Sequence, residues 1–342
     1  MQAARLAGAG QLRLHDEEPP VPGPGESLVR VGAVGLCGSD LHWWGEGGIG
    51  DARLTRPLVL GHEVAGVVEG GPLDGTAVAV DPAVPCEQCP VCRTGHRNLC
   101  PDVRFAGHGS TDGGLQELLA WPTARLHPLP AEIGLAGATV LEPLGVALHA
   151  MDLAHVRLGA SVTVVGCGPI GLLLVQLARL AGAGSVVAVE PLAHRRQAAL
   201  DAGADAAHTP ADLVATGVFT APDAVPGLGS PGADVVLEVV GSRGAVELAV
   251  RSARPGGRVV LVGIPDDDRT AFPASVARRK GLTLAVVRRM GEVYPRAIDL
   301  VRRGLVDVDA LVTGRYPLHE VGSAFAAAAA RTGLKVVVEV SS

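Results

Sequence analysis

The run SVTVVGCGPIGLLLVQLARL, residues 161–180, decides the fold of half the chain. It starts with a short β-branched strand, Ser161–Val165, passes through the pattern G-x-G-x-x-G and continues as an apolar helix. A strand, a glycine-rich turn and a helix in this order are typical of a dinucleotide-binding fold. We expect Gly166 to make the tight turn, Gly168 to let the backbone approach a pyrophosphate, and Gly171 to let the helix pack closely against the strand.

The residues around this turn predict the cofactor. Pro169 and Ile170 begin the helix, whose N-terminal N–H groups favour phosphates. Glu190 closes the next strand, 19 residues after the last glycine of the motif. A carboxylate there accepts hydrogen bonds from the adenosine ribose hydroxyls and repels a 2′-phosphate, so we expect NAD rather than NADP. Arg195, followed by Arg196, is a second predicted cofactor contact, and an arginine there could accept a phosphate.

Strands and helices continue to alternate after this unit, which predicts a doubly wound parallel sheet over residues 149–287. We expect its six strands to be complete by about residue 287, with a Pro- and Gly-containing loop at 216–232. Further elements are expected as strands at Ser185–Val189, 235–240 and 258–262 and as helices near 192–202 and 243–253.

The residues on either side of this predicted sheet have a different sequence pattern. Residues 1–148 read as a β-rich domain of short strands separated by Gly and Pro, with a cysteine loop at 85–101. Residues 288–342 contain two helical stretches, 292–303 and 318–330, and a last strand at 335–340. Because the parallel sheet is already complete, we expect this segment to return to the first domain.

Four of the six cysteines lie within fifteen residues, in CEQCPVCRTGHRNLC. Tetrahedral Zn²⁺ binds four thiolates at about 2.3 Å, and a short loop can supply them all. We expect a closed, structural zinc site, with two disulfides or an iron–sulfur cluster as the alternatives. The predicted ligands are Cys86, Cys89, Cys92 and Cys100.

Composition narrows the classes of function. The net charge is −6 with no block of like charge, which argues against nucleic acid as a partner because phosphate contacts need clustered Lys and Arg. The N-terminus has no apolar region typical of a signal peptide, and no apolar stretch approaches ~18 residues. We therefore expect a cytoplasmic protein without membrane contact, in which reduced thiols bind metal.

A second set of metal-ligand residues lies outside the cysteine loop. Cys37 occurs in GLCGSDLHWW, His62 and Glu63 in LGHEVAGVV, and Glu142 in VLEPLG. Cysteine, histidine and carboxylate are all zinc ligands. Each has an ordinary alternative, as a core thiol, a surface turn or a helix cap. Glycines beside two of the motifs indicate tight backbone bends at Gly38 and Gly61.

Together these motifs resemble the zinc-dependent medium-chain dehydrogenase/reductase (alcohol dehydrogenase) family over nearly the whole chain. CGSDLH, GHEVAG, the cysteine loop, EPLGVALHA and GCGPIG occur in the family's order. EPL, in place of a cysteine-containing segment, is similar to the polyol branch of sorbitol, xylitol and L-idonate 5-dehydrogenases. The resemblance implies a GroES-like, β-rich catalytic domain beside a Rossmann domain, a homodimer or homotetramer, and a small-molecule alcohol as substrate.

The resemblance also implies roles for residues in two zinc sites per chain. Cys37, His62 and Glu63 are similar to the ligands of a catalytic zinc, with Glu142 binding the metal directly or holding its water. Ser39 and His42 resemble members of a relay that carries the substrate proton to solvent.

Substrate contacts follow from the same resemblance. Arg289 is similar to an arginine that contacts polyol hydroxyls, although its neighbour Arg288 also fits the register. Such an arginine could equally bind a carboxylate, so sugar acids remain possible substrates. Trp43 stands where many sorbitol dehydrogenases have tyrosine, and Ser39 and Glu142 complete the predicted set.

Three alternatives remain open at this stage. Threonine 3-dehydrogenases have a motif similar to CGSDLH, and EPLG argues mildly against them. A non-catalytic nucleotide-binding protein on the same fold would have lost the catalytic zinc ligands. A zinc-free reductase of the same superfamily would lack both sets of metal ligands.

Overall fold

The computed structural model describes residues 1–215, 232–265 and 268–341. The loop predicted at 216–232 lies outside the described residues as far as residue 231. The chain forms two units, one of Met1–Pro143 with Gly291–Ser342 and the other of Leu144–Met290. Below they are the first and the second unit.

Residues 1–143 contain short strands linked by glycine-rich turns. The strands are β1 Gln2–Leu6, β2 Leu12–Asp16, β3 Glu26–Gly35, β4 Gly48–Ile49, β5 Ala52–Arg53, β6 Leu58–Val59, β7 Glu63–Glu69, β8 Ala77–Val80, β9 Ala83–Val84, β10 Arg104–Phe105, β11 Leu118–Pro122 and β12 Leu126–Pro128. The helices are α1 Gly38–Glu46, α2 Pro90–Arg93, α3 Leu135–Ala138 and α4 Leu141–Ala154, the last of which continues into the second unit.

The second unit alternates parallel strands with helices. Its strands are β13 Ser161–Val165, β14 Ser185–Val189, β15 Ala206–His208, β16 Ala233–Glu238, β17 Ala253–Leu261 and β18 Thr283–Val286. Its helices after α4 are α5 Pro169–Leu180, α6 Ala193–Asp201, α7 Pro210–Ala215, α8 Arg243–Ser252 and α9 Ala274–Lys280.

All strand pairs of the second unit are parallel, in the order β15-β14-β13-β16-β17-β18. The central strands are buried on both faces, which explains why they read as unbroken apolar runs rather than as alternating patterns. The order reverses between β13 and β16, and ligands of such sheets bind at that switch point. The predicted doubly wound parallel sheet is confirmed.

The remaining residues return to the first unit as α10 Tyr294–Arg302, β19 Val312–Pro317, α11 Val321–Ala330 and β20 Lys335–Glu339. β20 pairs antiparallel with β3 and parallel with β19, within a seven-stranded sheet of the described residues. This pairing brings a late segment of the chain beside β3, directly before Cys37. The first unit's core includes the fully buried Trp43 and Phe325.

The described residues contain no helix that is both long and apolar enough to cross a lipid bilayer.

Candidate metal centre and cofactor site

One buried carboxylate positions two predicted zinc ligands. Cys37 has an extended backbone directly before α1, and its N–H donates to Asp40 Oδ2 at 2.9 Å. Asp40 Oδ1 accepts from the N–H of Gly61 at 3.2 Å and lies 3.5 Å from His62 Nδ1. Because Nδ1 faces Asp40, the other ring nitrogen of His62 is left for a metal, as is usual for ligating histidines.

The charges around His62 are strongly coupled. Burial opposes a charge on His62, but Asp40 and Cys37 outweigh it and raise the pKa of His62 well above its usual value. Burial likewise opposes the Asp40 carboxylate, and His62 with two backbone N–H groups holds the pKa of Asp40 below its usual value. Sequence reasoning missed Asp40, although an acidic residue three positions after a helix N-cap is a capping signature.

A glycine places the next ligand pair. Gly61 has a φ of 93°, and a Cβ there would lie 2.6 Å from Val34 Cγ1, so a side chain would be strained and would clash. The predicted tight bend at Gly38 is wrong: Gly38 is the first residue of α1, without a left-handed φ and with open space beside its Cα.

Cys37, His62 and Glu63 meet in one place. One ligand atom from each lies within 4.8 Å of the others. Zinc–ligand bonds of about 2.0–2.3 Å would place the ligand atoms of a tetrahedral site within this distance of one another. A thiolate, an imidazole and a carboxylate are an appropriate donor set for zinc, so the residues fit the metal. They come from the N-terminal boundary of α1 and from the start of β7.

Glu63 makes a buried ion pair that the sequence analysis did not predict. Lys335 Nζ on β20 donates to Glu63 Oε2 at 2.6 Å, to Oε1 at 2.7 Å and to the carbonyl of Leu36 at 3.0 Å. Burial opposes the ammonium charge, but Glu63 and Cys37 outweigh it and raise the pKa of Lys335. Gly35 lies opposite Glu63 in the sheet, and a Cβ there would be 2.1 Å from Glu63 Oε2. The missing side chain at Gly35 therefore makes room for this carboxylate.

Glu142 lies in the first turn of α4 and is 5% exposed. Burial, opposed by His62 and Lys335 and aided by Glu63, raises the pKa of Glu142 to about 7. In the described part of the chain the metal-ligand group contains Cys37, His62 and Glu63 without Glu142. That arrangement favours the second of the two roles expected for Glu142, which is to hold a metal-bound water.

Aromatic rings lie beside this centre. Phe105 packs against His62 with ring centroids 5.4 Å apart. Trp43 is 1% exposed, and its Nε1–H donates to His108 Nδ1 at 3.3 Å. The only polar group of the predicted substrate residue Trp43 is therefore bonded to His108, and its ring is almost fully buried. Two residues missed from sequence are Phe105, which ends the two-residue strand β10, and His108, three residues later; neither belongs to a recognisable motif.

The predicted relay residues lie on α1. Ser39 and His42 are half-buried and are spaced i, i+3, which puts them on one face of the helix. Asp40 and Trp43, at the same spacing, form the adjacent buried face, about 100° further round the helix.

The four-cysteine loop forms a closed site. One sulfur atom of each cysteine lies within 4.8 Å of the others, and all six cysteines of the chain are free thiols, which is against the disulfide alternative. Backbone N–H groups point at three of the sulfur atoms at 3.4 Å each, an arrangement that stabilises thiolates. The residues fit a structural zinc ion. The predicted ligands that meet here are Cys86, Cys89, Cys92 and Cys100.

Ion pairs attach this loop to the rest of the first unit. Arg97 donates to Glu87 at 2.6 Å and to Glu292 at 2.9 Å. Arg125 donates to Glu87 at 2.7 Å and to Asp81 at 3.2 Å. The loop is therefore tied to the end of β8 and to the segment before α10.

The glycine motif has the geometry that a dinucleotide requires. Gly166 has a φ of 96°, and a Cβ at Gly171 would lie 1.9 Å from the carbonyl oxygen of Gly166. Gly168 is the N-cap of α5, and a Cβ there would meet nothing closer than Arg195 Nη1 at 3.8 Å. The turn stands at the switch point of the sheet, with the first turn of α5 beginning at Pro169 and Ile170. These residues fit a bound pyrophosphate.

Glu190 is 5% exposed at the end of β14 and is held by backbone N–H groups. Its Oε2 accepts from the N–H of Cys167 at 2.9 Å and its Oε1 accepts from Leu192 at 3.0 Å. Arg196 donates to the carbonyls of Glu190 and Pro191 at 2.9 and 2.7 Å. Since each carboxylate oxygen has two lone pairs, Glu190 can still accept from a ribose hydroxyl.

Arg289 lies in the second unit with a φ of 55°, a left-handed backbone that is uncommon for arginine. It is half-buried, whereas Arg288 is exposed. This difference favours Arg289 over Arg288 as the arginine that the sequence analysis left uncertain by one position.

Two family models match the chain. The alcohol dehydrogenase GroES-like domain matches residues 23–131, and the zinc-binding dehydrogenase model matches residues 169–303. The probable D-xylulose reductase A of Aspergillus clavatus is 36% identical, over 97% of this chain and 95% of that protein. The sorbitol dehydrogenase of Macaca fascicularis is 34% identical, over 97% and 94%.

Solved structures give the same result. L-idonate 5-dehydrogenase from Escherichia coli superposes with a TM-score of 0.88 at 27% identity, over 99% of this chain and 98% of that one. A zinc-binding dehydrogenase from Sinorhizobium meliloti bound to NADP superposes with a TM-score of 0.90 at 32% identity, over 99% of both. From its motifs, its fold and its relatives, this chain belongs to the zinc-dependent medium-chain dehydrogenase family.

Proposed function

We propose that this dehydrogenase oxidises a secondary alcohol of a polyol or a sugar acid to a ketone and transfers the hydride to NAD. The observation that carries the proposal is the group of Cys37, His62 and Glu63 with the buried carboxyl group of Glu142 nearby. The names of the relatives, which include a xylulose reductase, a sorbitol dehydrogenase and an L-idonate 5-dehydrogenase, support this class of substrate.

Each residue of the metal centre has a role in this proposal. Cys37, His62 and Glu63 hold the zinc ion, and Glu142 orients its water or the substrate hydroxyl. When bound, zinc acts as a Lewis acid that lowers the pKa of the substrate hydroxyl, and NAD accepts the hydride. The Cys37 thiolate and the Glu63 carboxylate would offset the charge of a bound zinc ion, and Lys335 would oppose part of the carboxylate's charge.

The substrate proton leaves through α1 in this proposal. Ser39 binds the substrate hydroxyl and passes its proton on, and His42 releases it to solvent. The overall reaction converts an alcohol and NAD⁺ to a ketone, NADH and one proton. We further propose that Arg289 contacts the hydroxyl or carboxylate groups of the substrate.

NAD is the proposed cofactor because Glu190 holds a buried carboxylate where a 2′-phosphate would lie. The Sinorhizobium meliloti relative is bound to NADP, so cofactor choice differs within the family. Gly166, Gly168 and Arg195 complete the proposed cofactor site.

We also propose a homodimer or homotetramer in the cytoplasm. β18 is an edge of the six-stranded sheet in the described residues, with Val286 74% exposed and Leu284 37% exposed. An apolar edge strand has unpaired backbone groups that can bond to another strand, and a second copy of this chain supplies such a strand. Light scattering coupled to size exclusion would give the mass. The cytoplasmic location rests on the cysteine-rich metal loop, since its thiolates require a reducing compartment.

The proposed substrate class is tested with a panel of polyols, aldonates and L-threonine, each with NAD and with NADP, followed by the absorbance of the reduced cofactor. We expect a polyol or an aldonate with NAD to give the highest kcat/KM. Highest activity with L-threonine would favour a threonine 3-dehydrogenase instead. No turnover of any compound by protein with two zinc ions would favour a non-catalytic nucleotide-binding role. Cys37→Ser is the control for zinc-dependent turnover.

A further inference from the structure

A row of polar side chains follows one face of α1 from the metal centre towards solvent. Ser39, His42 and Glu46 occupy positions i, i+3 and i+7, so they share one face of the helix. The side chain of His42 is 24% exposed and that of Glu46 is 60% exposed. Exposure therefore rises from His42 to Glu46, away from Cys37.

His42 and Glu46 are joined by a hydrogen bond. The distance from His42 Nδ1 to Glu46 Oε1 is 2.9 Å. An ionised carboxylate can only accept hydrogen bonds, so Nδ1 of His42 must carry the proton. In the neutral ring the lone pair then lies on Nε2. The partner at one nitrogen thus decides which nitrogen can accept a proton.

Helix stability does not account for this pair. Glu46 is the last residue of α1, where the helix dipole disfavours a negative charge, and the last turn contains no basic residue. The acidic residue also follows the histidine, which is the less favourable order for an i,i+4 pair. A carboxylate in this position costs helix stability rather than adding to it.

We propose that Glu46 is a positioning residue of the proton exit route, which holds His42 in the Nδ1–H tautomer so that Nε2 receives the substrate proton. This inference rests on the relay role given to His42 in the proposed function. The proton from the alcohol binds Nε2, and the resulting imidazolium is stabilised by the Glu46 carboxylate. One proton then passes to water, and the neutral ring is restored.

The tautomer can be measured without substrate or cofactor. Histidine-selective ¹⁵N labelling of the zinc-loaded protein gives the ring nitrogen shifts, and His42→Gln assigns the signals of His42. Spectra are recorded at pH 8. We expect protonated Nδ1 in the wild type, a shift of population towards Nε2–H in Glu46→Ala, and retention of Nδ1–H in Glu46→Gln, whose amide oxygen still accepts.

The matched control is Glu247→Ala. Glu247 also makes an i,i+4 contact on an exposed helix face, to Arg251 at 2.8 Å, but it lies on α8 of the second unit. The Glu247→Ala variant should leave the His42 signals unchanged. A wild-type ring with protonated Nε2, or identical His42 signals in the wild type and Glu46→Ala, would overturn the inference.

Turnover supplies the second measurement. We expect Glu46→Ala to lower kcat about twofold, the strength of an exposed i,i+4 pair, with KM for the alcohol unchanged and with partial rescue in Glu46→Gln. His42→Gln should lower kcat further. A wild-type kcat in His42→Gln would remove the relay and the inference together. A slow His42→Gln beside a Glu46→Ala with wild-type kcat would remove Glu46 alone and leave the proposed function standing.

Discussion

Lys335 and Glu63 form a buried ion pair beside Cys37 and His62, although 272 residues separate them in the chain. Both side chains are almost fully buried, at 3% and 0% exposure. A buried charge that loses its partner is strongly destabilising, so neither residue can be removed alone without consequence.

Lys335→Met should therefore weaken the catalytic metal site. Glu63 would keep a buried charge without its partner, and we expect zinc affinity or kcat/KM to fall about 10–100-fold, as for other residues that support metal ligands. Zinc per chain after dialysis against a chelator measures the first effect. Lys280→Met is the matched control, because among the described residues this lysine donates to the carbonyls of Arg251 and Ala253 in the second unit. Equal zinc retention in both variants would contradict the prediction.

Cys100→Ser and Cys37→Ser should separate the two zinc sites. Each variant should hold about one zinc ion per chain by elemental analysis. Cys100→Ser should lower the Tm and leave the pH profile and the cofactor preference of the surviving enzyme unchanged, because its site has no open coordination position. Cys37→Ser should remain folded and lose turnover. Loss of hydride transfer in folded Cys100→Ser would show that the closed site takes part in the chemistry.

Glu190→Gln should reduce the preference for NAD over NADP by about tenfold, equivalent to ~1.4 kcal/mol, because the charge that repels a 2′-phosphate is gone. The ratio of kcat/KM for the two cofactors measures it. A small fall in Tm should accompany the change, since one of two backbone N–H groups would face an amide nitrogen.

Glu238→Gln is the control for this change. Glu238 closes β16, which β13 separates from β14 in the sheet, and it accepts from Val240 and Gly241 through one oxygen, which an amide can replace. A preference for NADP in the wild type would refute the role given to Glu190.

His127 should make the first unit less stable in weak acid. Burial, aided by Arg125, lowers the pKa of His127 to about 4, and its ring stacks on Tyr294 at 4.6 Å. Since the unfolded chain binds this proton near pH 6.5, stability is complete above pH 6.5 and is lost as the pH falls towards 4. Allowing for solvent around the half-buried ring, the loss is about 1–2 kcal/mol.

The Tm of wild type and His127→Phe at pH 7.5 and pH 5 tests this effect. The phenylalanine keeps a ring against Tyr294 and cannot titrate, so its Tm should fall less between the two pH values. His15→Gln, at an exposed position, should behave as the wild type does. The same fall in Tm for His127→Phe and wild type would contradict the assignment.

The sequence was most informative where a local rule governs the backbone. Gly166 and Gly171 are required by a turn and by a contact within six residues, so their pattern, between an apolar strand and an apolar helix, predicts the parallel sheet around them. Gly38 was misinterpreted because a glycine is also tolerated at the start of a helix. The ligand motifs were recognisable because each lies beside a turn that presents its side chain.

The supporting residues could not be predicted in the same way. Lys335 reaches Glu63 because β20 pairs with β3 in a register that places Val337 opposite Gly35, and no local pattern fixes that register. The sequence hints at this ion pair only through a lysine directly before the apolar run VVV, in a chain that has one other lysine. The hydrogen bond between His42 and Glu46 follows from their i,i+4 spacing, but a carboxylate at this spacing is common on exposed helices and does not by itself indicate a role.

The return of β20 to the first unit also sets an order of events during synthesis. A ribosome that has made Cys37, His62 and Glu63 must translate the whole second unit before it reaches Lys335. At 5–20 residues per second, the 272 residues from Val64 to Lys335 take about 14 to 54 s. Throughout this interval β3 lacks its neighbour β20 and Glu63 lacks its counter-charge. Closure of the catalytic zinc site is therefore a late step, which follows translation of the nucleotide-binding sheet.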